Sequence, residues 1–109
     1  MAEWVVTEDI ECFGKVATVQ GNATNIKTIN DYIIENATEK YAYLKPGKVW
    51  LDFSHTKVCN IKHNANNANV TIVENSENPL SVDLIAIKFI ASGSSLSCDF
   101  GSKTVVNNR

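Results

Sequence analysis

Basic clusters, long apolar runs and pairable cysteines are all scarce in this chain, and each scarcity excludes a class of function. The ten Lys and Arg residues are scattered singly and the net charge is -2, so no block of positive charge could neutralise a run of phosphates. Nucleic acid is not an expected partner. The most apolar window, residues 81–90, is interrupted by Asp83 and Lys88 and reaches only about half the length of a bilayer span, which argues against a transmembrane helix. No membrane partner is expected. The first residues lack the basic start and following apolar stretch of a secretory signal. Three cysteines, Cys12, Cys59 and Cys98, cannot all pair within one molecule, and their wide spacing fits neither a disulfide framework nor a Cys-x-x-Cys site. They read as thiols, mostly buried, in a protein made in a reducing cytoplasm. The five glycines stand apart from one another, so a Gly-rich phosphate loop is missing too.

What the chain does have is asparagine. There are thirteen, and with Ser and Thr they crowd the segments between apolar runs. Such side chains favour turns, because they can bond neighbouring backbone groups that would otherwise join a ladder. At 109 residues there is room for one domain. Residues 1–14 read as an N-terminal arm and residues 101–109 as a polar tail. Residues 15–20 have the length and Val/Thr content of a strand, ended by a Gly21-Asn22 turn. Over residues 24–40 the period changes: Ile26, Ile29, Ile33 and Ala37 recur at helical steps, which predicts one short helix. Residues 41–44 and 49–54 flank Lys45-Pro46-Gly47-Lys48 and predict a β-hairpin. Short strands are expected at 57–62, 70–73, 96–100 and 104–106, with an exposed Asn-rich turn at 63–69.

The longest apolar run, residues 81–90, carries two apolar faces in strand alternation. Val82, Leu84, Ala86 and Ile90 lie on one side, and Ile85, Ile87 and Phe89 on the other. That pattern predicts a central strand covered on both sides, by the domain itself or by a symmetry mate. Turns every eight to twelve residues or so are the spacing of a small antiparallel β-sandwich or barrel, so a mainly β fold with one short helix is the expected class.

No constellation carries chemistry. His55, Cys59 and His63 lie four apart, but on a strand that spacing covers roughly 13 Å, beyond the reach of one metal ion. Cys59 with a histidine has no third, orienting group to make a nucleophile. Glu8, Asp9 and Glu11 are contiguous carboxylates that splay apart rather than converge on a cation. Asp52 and Asp99 can face solvent by alternation, while Asp83, inside the apolar strand, is the more interesting carboxylate. Three Asn-x-Thr triplets, at Asn22, Asn36 and Asn69, are about what this composition yields by chance, given the pattern's low specificity. No catalytic, cofactor or metal residue is assigned, and the chain reads as a protein without enzymatic activity.

The order Ile33-Ile34-Glu35-Asn36-Ala37-Thr38, Tyr41-Ala42-Tyr43-Leu44 and Val49-Trp50-Leu51-Asp52-Phe53-Ser54, then an Asn-rich turn and a long hydrophobic strand, resembles the small head-fibre and capsid-decoration proteins of tailed bacteriophages. The likeness covers residues 15–100 in style and order. It implies a compact β-rich domain without enzymatic activity that binds the outer face of a capsid, as a homodimer or homotrimer, and resides in the virion. Trp4, Val5 and Val6 would then be an arm that anchors to the larger assembly, and Ile85, Ile87 and Phe89 an apolar face that a symmetry mate could cover; the plainer reading of Trp4, Val5 and Val6 is an edge strand of the domain itself. A small carbohydrate- or protein-binding β-module is the other reading, with Tyr41 and Trp50 as its aromatic platform.

Overall fold

The computed structural model describes residues 3–23, 43–44, 51–53 and 56–99. The protein is mainly β. Among the described residues, eight strands form a five-stranded sheet and a three-stranded one. The larger sheet has the order β1-β7-β6-β8-β5, built from β1 (Lys15–Gln20), β7 (Ser81–Ala86), β6 (Val70–Glu74), β8 (Ser97–Cys98) and β5 (Lys62–His63). The smaller has the order β2-β4-β3, from β2 (Asn22–Ala23), β4 (Leu51–Asp52) and β3 (Tyr43–Leu44). The predicted helix at 24–40, the Pro46-Gly47 turn and the strand at 104–106 lie outside the described residues.

β7 lies between β1 and β6, antiparallel to both. Its inner row, Val82, Leu84 and Ala86, is fully buried, and meets Ile72 and Val70 of β6 as well as Leu51 and Phe53 at the small sheet. Leu84 stands opposite Ala17 on one side and Ile72 on the other, so alternate residues of three strands face one core. Fully burying side chains of this size contributes about 1.5–3 kcal/mol each before chain entropy is counted. The two sheets share that single core.

The central strand is shorter than its apolar run. The ladder ends at Ala86, Ile87 and Lys88 bend away, and Ile90 returns as a buried single bridge to Ile10. The N-terminal segment is bound rather than loose. Val5 pairs with Ser95 and Ile10 with Ile90, and Lys15 with Ile85, so five residues forward on one segment correspond to five back on the other. The bonds from Val6 N to Ser94 O at 3.0 Å and from Leu96 N to Trp4 O at 2.8 Å complete the docking.

Three expected features differ. Residues 57–62 form a 3-10 turn over Lys57–Asn60 and only then the short β5, because Thr56 caps the turn: its hydroxyl accepts from Val58 N at 3.2 Å. Gly21 is not a surface turn but a buried crossing from β1 into β2, where an added Cβ would sit 2.8 Å from the Phe53 ring and 2.9 Å from the Asp52 carbonyl. β8 runs parallel to both β5 and β6, so the large sheet is mixed rather than wholly antiparallel.

Asparagine works as its abundance suggests. Asn75 Oδ1 accepts from the backbone of Glu77 and Asn78, Asn78 Oδ1 from Leu80, and Asn64 Oδ1 from Asn66 and Asn67, each closing a turn on itself. Asn69 instead ties strands, donating to Ser95 O and accepting from Ser97 N, both at 2.9 Å.

Gly21→Ala is expected to lower stability by about 1–3 kcal/mol, because the neighbours of the new methyl include backbone that cannot move aside. Urea unfolding of the variant against the parent measures it, and an unchanged midpoint would contradict the close packing at Gly21.

Candidate functional site

The register that turns Val82, Leu84 and Ala86 inward turns Asp83 and Ile85 outward, together with Val73 and Thr71 of β6 and Thr18 of β1. Asp83 is the polar centre of this outer face. Its Oδ1 accepts from Thr18 Oγ1 at 2.6 Å and from Asn75 Nδ2 at 2.9 Å, and Lys15 Nζ stands 3.9 Å from Oδ2. The hydrogen bonds from Thr18 and then Asn75 outweigh partial desolvation and, with the Lys15 charge, hold the carboxyl below its ordinary value of 3.8. A carboxylate held charged, with its oxygens occupied by neighbours on both sides, cross-links β1, β7 and the loop after β6. It is poorly placed to trade protons.

Apolar groups lie around that lock. Val73 is exposed beside it, Ile85 is half-buried, and past the end of the ladder Ile87 is 43% and Phe89 52% exposed. Phe13 joins them. Its N–H donates to the Ala86 carbonyl at 2.8 Å, which sets it next to Ile87, and its side chain is 78% exposed. Phe13 also has φ 69°, in the left-handed region where a residue with a Cβ is strained. A turn closed by Gly14 N donating to Glu11 O at 2.9 Å holds it there.

The six residues singled out in the sequence therefore divide. Ile85 is half-buried on the outer face of β7, and Ile87 and Phe89, past the end of the ladder, are exposed. Trp4 is half-buried with Lys57 Nζ 5.6 Å above its ring, and Val5 is exposed. Val6 is a correction: at 6% exposure it is a core residue packed with Leu96 and Ile90, and it offers no surface to a partner. The pairing of residues 4–6 with 94–96 turns alternate side chains inward, which is why Val5 and Val6 separate. The sequence reading missed Phe13 because only the turn geometry exposes it; an aromatic just before a glycine, in a polar stretch, is the one hint it leaves.

Cys59 donates its Sγ–H to Phe53 O at 3.2 Å, and His63 is an exposed residue of β5. Cys98 is buried, Cys59 half-buried and Cys12 exposed, so burial holds for the first two only. His55, Tyr41 and Trp50 lie outside the described residues. Compared with known proteins, the chain matches no family model and no curated sequence.

Asp83 has a consequence for acid stability. A carboxyl whose folded value is depressed stabilises the fold above its unfolded value and loses that contribution as pH falls through the folded one. Glu3 adds to it in the same direction, held down by its bonds from Lys62, at 2.7 Å, and Ser95. Urea midpoints are expected to fall as pH drops below about 4. Asp83→Asn should lower stability at neutral pH and flatten that slope; a parallel pH profile in the variant would show that the Asp83 charge contributes nothing.

Proposed function

We propose that this chain is a structural subunit of a virus particle, without enzymatic activity: a capsid-decoration or head-fibre protein that is made in the host cytoplasm and binds the outer capsid surface as a homodimer or homotrimer. One observation carries the reading. Phe13, Ile87 and Phe89 stand exposed at one end of a rigid ladder, and Phe13 is held in a strained backbone conformation. Strain that buys no packing inside the domain is what a contact outside it would explain. Aromatic side chains presented from a stiff frame lose little conformational freedom on docking, which suits a stable assembly contact.

The resemblance in sequence style to capsid-decoration proteins supplies the kind of assembly. The frame suits that role: β1, β7 and β6 are locked across by Asp83, so the apolar groups at the ladder's end are held in place before any partner arrives.

The test is sedimentation of virus particles from infected cells on a density gradient. The chain is expected in the particle band at a constant ratio to the major capsid protein, and its absence from that band would refute the proposal. A paired substitution separates folding from docking. Phe13→Gly removes a left-handed cost of roughly 1–2 kcal/mol and adds a glycine entropy cost of roughly 0.5–1, so it is expected to raise stability by about 0.5–1 kcal/mol net, yet to weaken attachment to particles. A destabilised variant would overturn the strain at Phe13, and one that attaches as well as the parent would remove Phe13 from the interface.

A further inference from the structure

The large sheet ends on β1, and among the described residues that edge is open. β1 (Lys15–Gln20) is the outermost strand in the order β1-β7-β6-β8-β5, and β7 is its one partner there. The Gly21 N–H donates to the Leu80 carbonyl at 2.8 Å, one step beyond the Gln20–Ser81 pair. Backbone groups alternate along an antiparallel ladder, so Ala17 and Val19 turn theirs toward β7 with Gly21, and Thr18 and Gln20 turn theirs away. Both of these residues are exposed, and no main-chain bond leaves them on the far side among the described residues. The other edge strands, β5 of the large sheet and β2 and β3 of the small one, have two residues each. Edges that short give a second chain little to pair with, whereas the six residues of β1 are a template.

The usual protections of an edge are missing from β1. It has no proline, its register shift is confined to its start, between Lys15 and Ala17, and its one charge, Lys15, is turned to Asp83 of its own sheet at 3.9 Å. We propose that a second copy of this chain covers the edge, β1 pairing antiparallel with β1 about a two-fold axis at Thr18, so that two five-stranded sheets become one. The strand is complementary to itself in that register. Thr18 stands opposite Thr18, where the outward groups exchange both main-chain bonds, and Gln20 stands opposite Val16 of the second copy. Ala17 and Val19, which both pack on the core, meet across the join on the inner face. Lys15 falls opposite Gly21, so no like charges are opposed. Another protein's strand would have to be matched to this edge, whereas a second copy is matched by symmetry. The axis stands perpendicular to the sheet, so the faces that carry Asp83 lie on the same side of the joined sheet. A two-fold closes at two copies and makes the assembly a dimer rather than a trimer. The inference goes beyond the capsid reading and does not need it, since it rests on β1 alone.

The test is light scattering of the purified full chain from about 1 µM to about 1 mM, with amide hydrogen exchange followed at both ends of that range. The mass is expected to double, and the Thr18 and Gln20 amides to gain protection as it does, while Ala17 and Val19 are protected throughout. Gln20→Pro removes one outward N–H and is expected to leave the urea midpoint of the dilute monomer unchanged. It should weaken dimerisation about thirtyfold, as the loss of one hydrogen bond from each copy would. A strict monomer at the highest concentration would overturn the proposal and leave the edge to a different protein's strand. So would a trimer, a dimer whose Thr18 and Gln20 amides exchange freely, or a Gln20→Pro variant that dimerises as the parent does. A lower urea midpoint in that variant would show that the Gln20 N–H serves the fold, which contradicts an open edge.

Discussion

The pairing of the N-terminal segment with residues 81–97 is the constraint on which the rest of the structure depends. It keeps one register from Val5–Ser95 through Ile10–Ile90 to Lys15–Ile85, although the ladder is broken between them. Contacts this far apart in sequence cost loop-closure entropy, and they repay it by turning one face of every participating segment toward the same core. Val6, Ile90 and Leu96 are buried as a consequence, beside Val82, Leu84 and Ala86. A slip of one residue would exchange these for Val5, Phe89 and Ser95. The identity of the core is therefore a property of the register rather than of any single side chain.

Polar groups hold that register where apolar ones cannot. Asp83 sits opposite Thr18 on one neighbour and Val73 on the other, and its bonds to Thr18 and Asn75 form only when all three segments are aligned. Asn75 has a double role: its Oδ1 closes the loop between β6 and β7 while its Nδ2 reaches Asp83. Asn69 and Ser97 do the corresponding work at the parallel junction of β6 and β8. Parallel pairs need a crossover rather than a hairpin to bring them together, and here the junction is short and fastened by side chains.

The strands were legible in the sequence where alternation was strong. Lys15–Gln20 coincides with its expected bounds, and Tyr43 with Asp52 and Leu44 with Leu51 pair antiparallel, as expected of the two arms. The inner and outer rows of residues 81–90 were also readable, because a period of two needs no tertiary information. What the sequence could not show was where that strand stops. Ile87 and Phe89 are as apolar as Leu84, and only the turn at residues 11–14, with Phe13 bonded to Ala86, ends the ladder before them. The 3-10 turn at Lys57–Asn60 was hidden for a related reason, since one capping hydroxyl on Thr56 outweighs the strand preference of a single valine. The expectation of two covered faces allowed for cover by the domain or by a symmetry mate; within the chain itself the inner row is buried, while Ile87 and Phe89 are exposed.

The end of the central ladder and the exposed face of the N-terminal segment differ in the forces they can offer. Phe13, Ile87 and Phe89 present apolar area, whose attraction is strong but without direction. Glu8 and Glu11 present carboxylates, whose attraction is sensitive to salt. Both surfaces are set by one event, the docking of residues 3–14 along residues 86–96, because the same segment contributes Phe13 to the first and the exposed Glu8 and Glu11 to the second. Anything that loosens that docking would weaken both together, whereas a change confined to Phe13 or to Glu8 and Glu11 reaches only one. The N-terminal segment is thus the element through which the core and both surfaces are coupled.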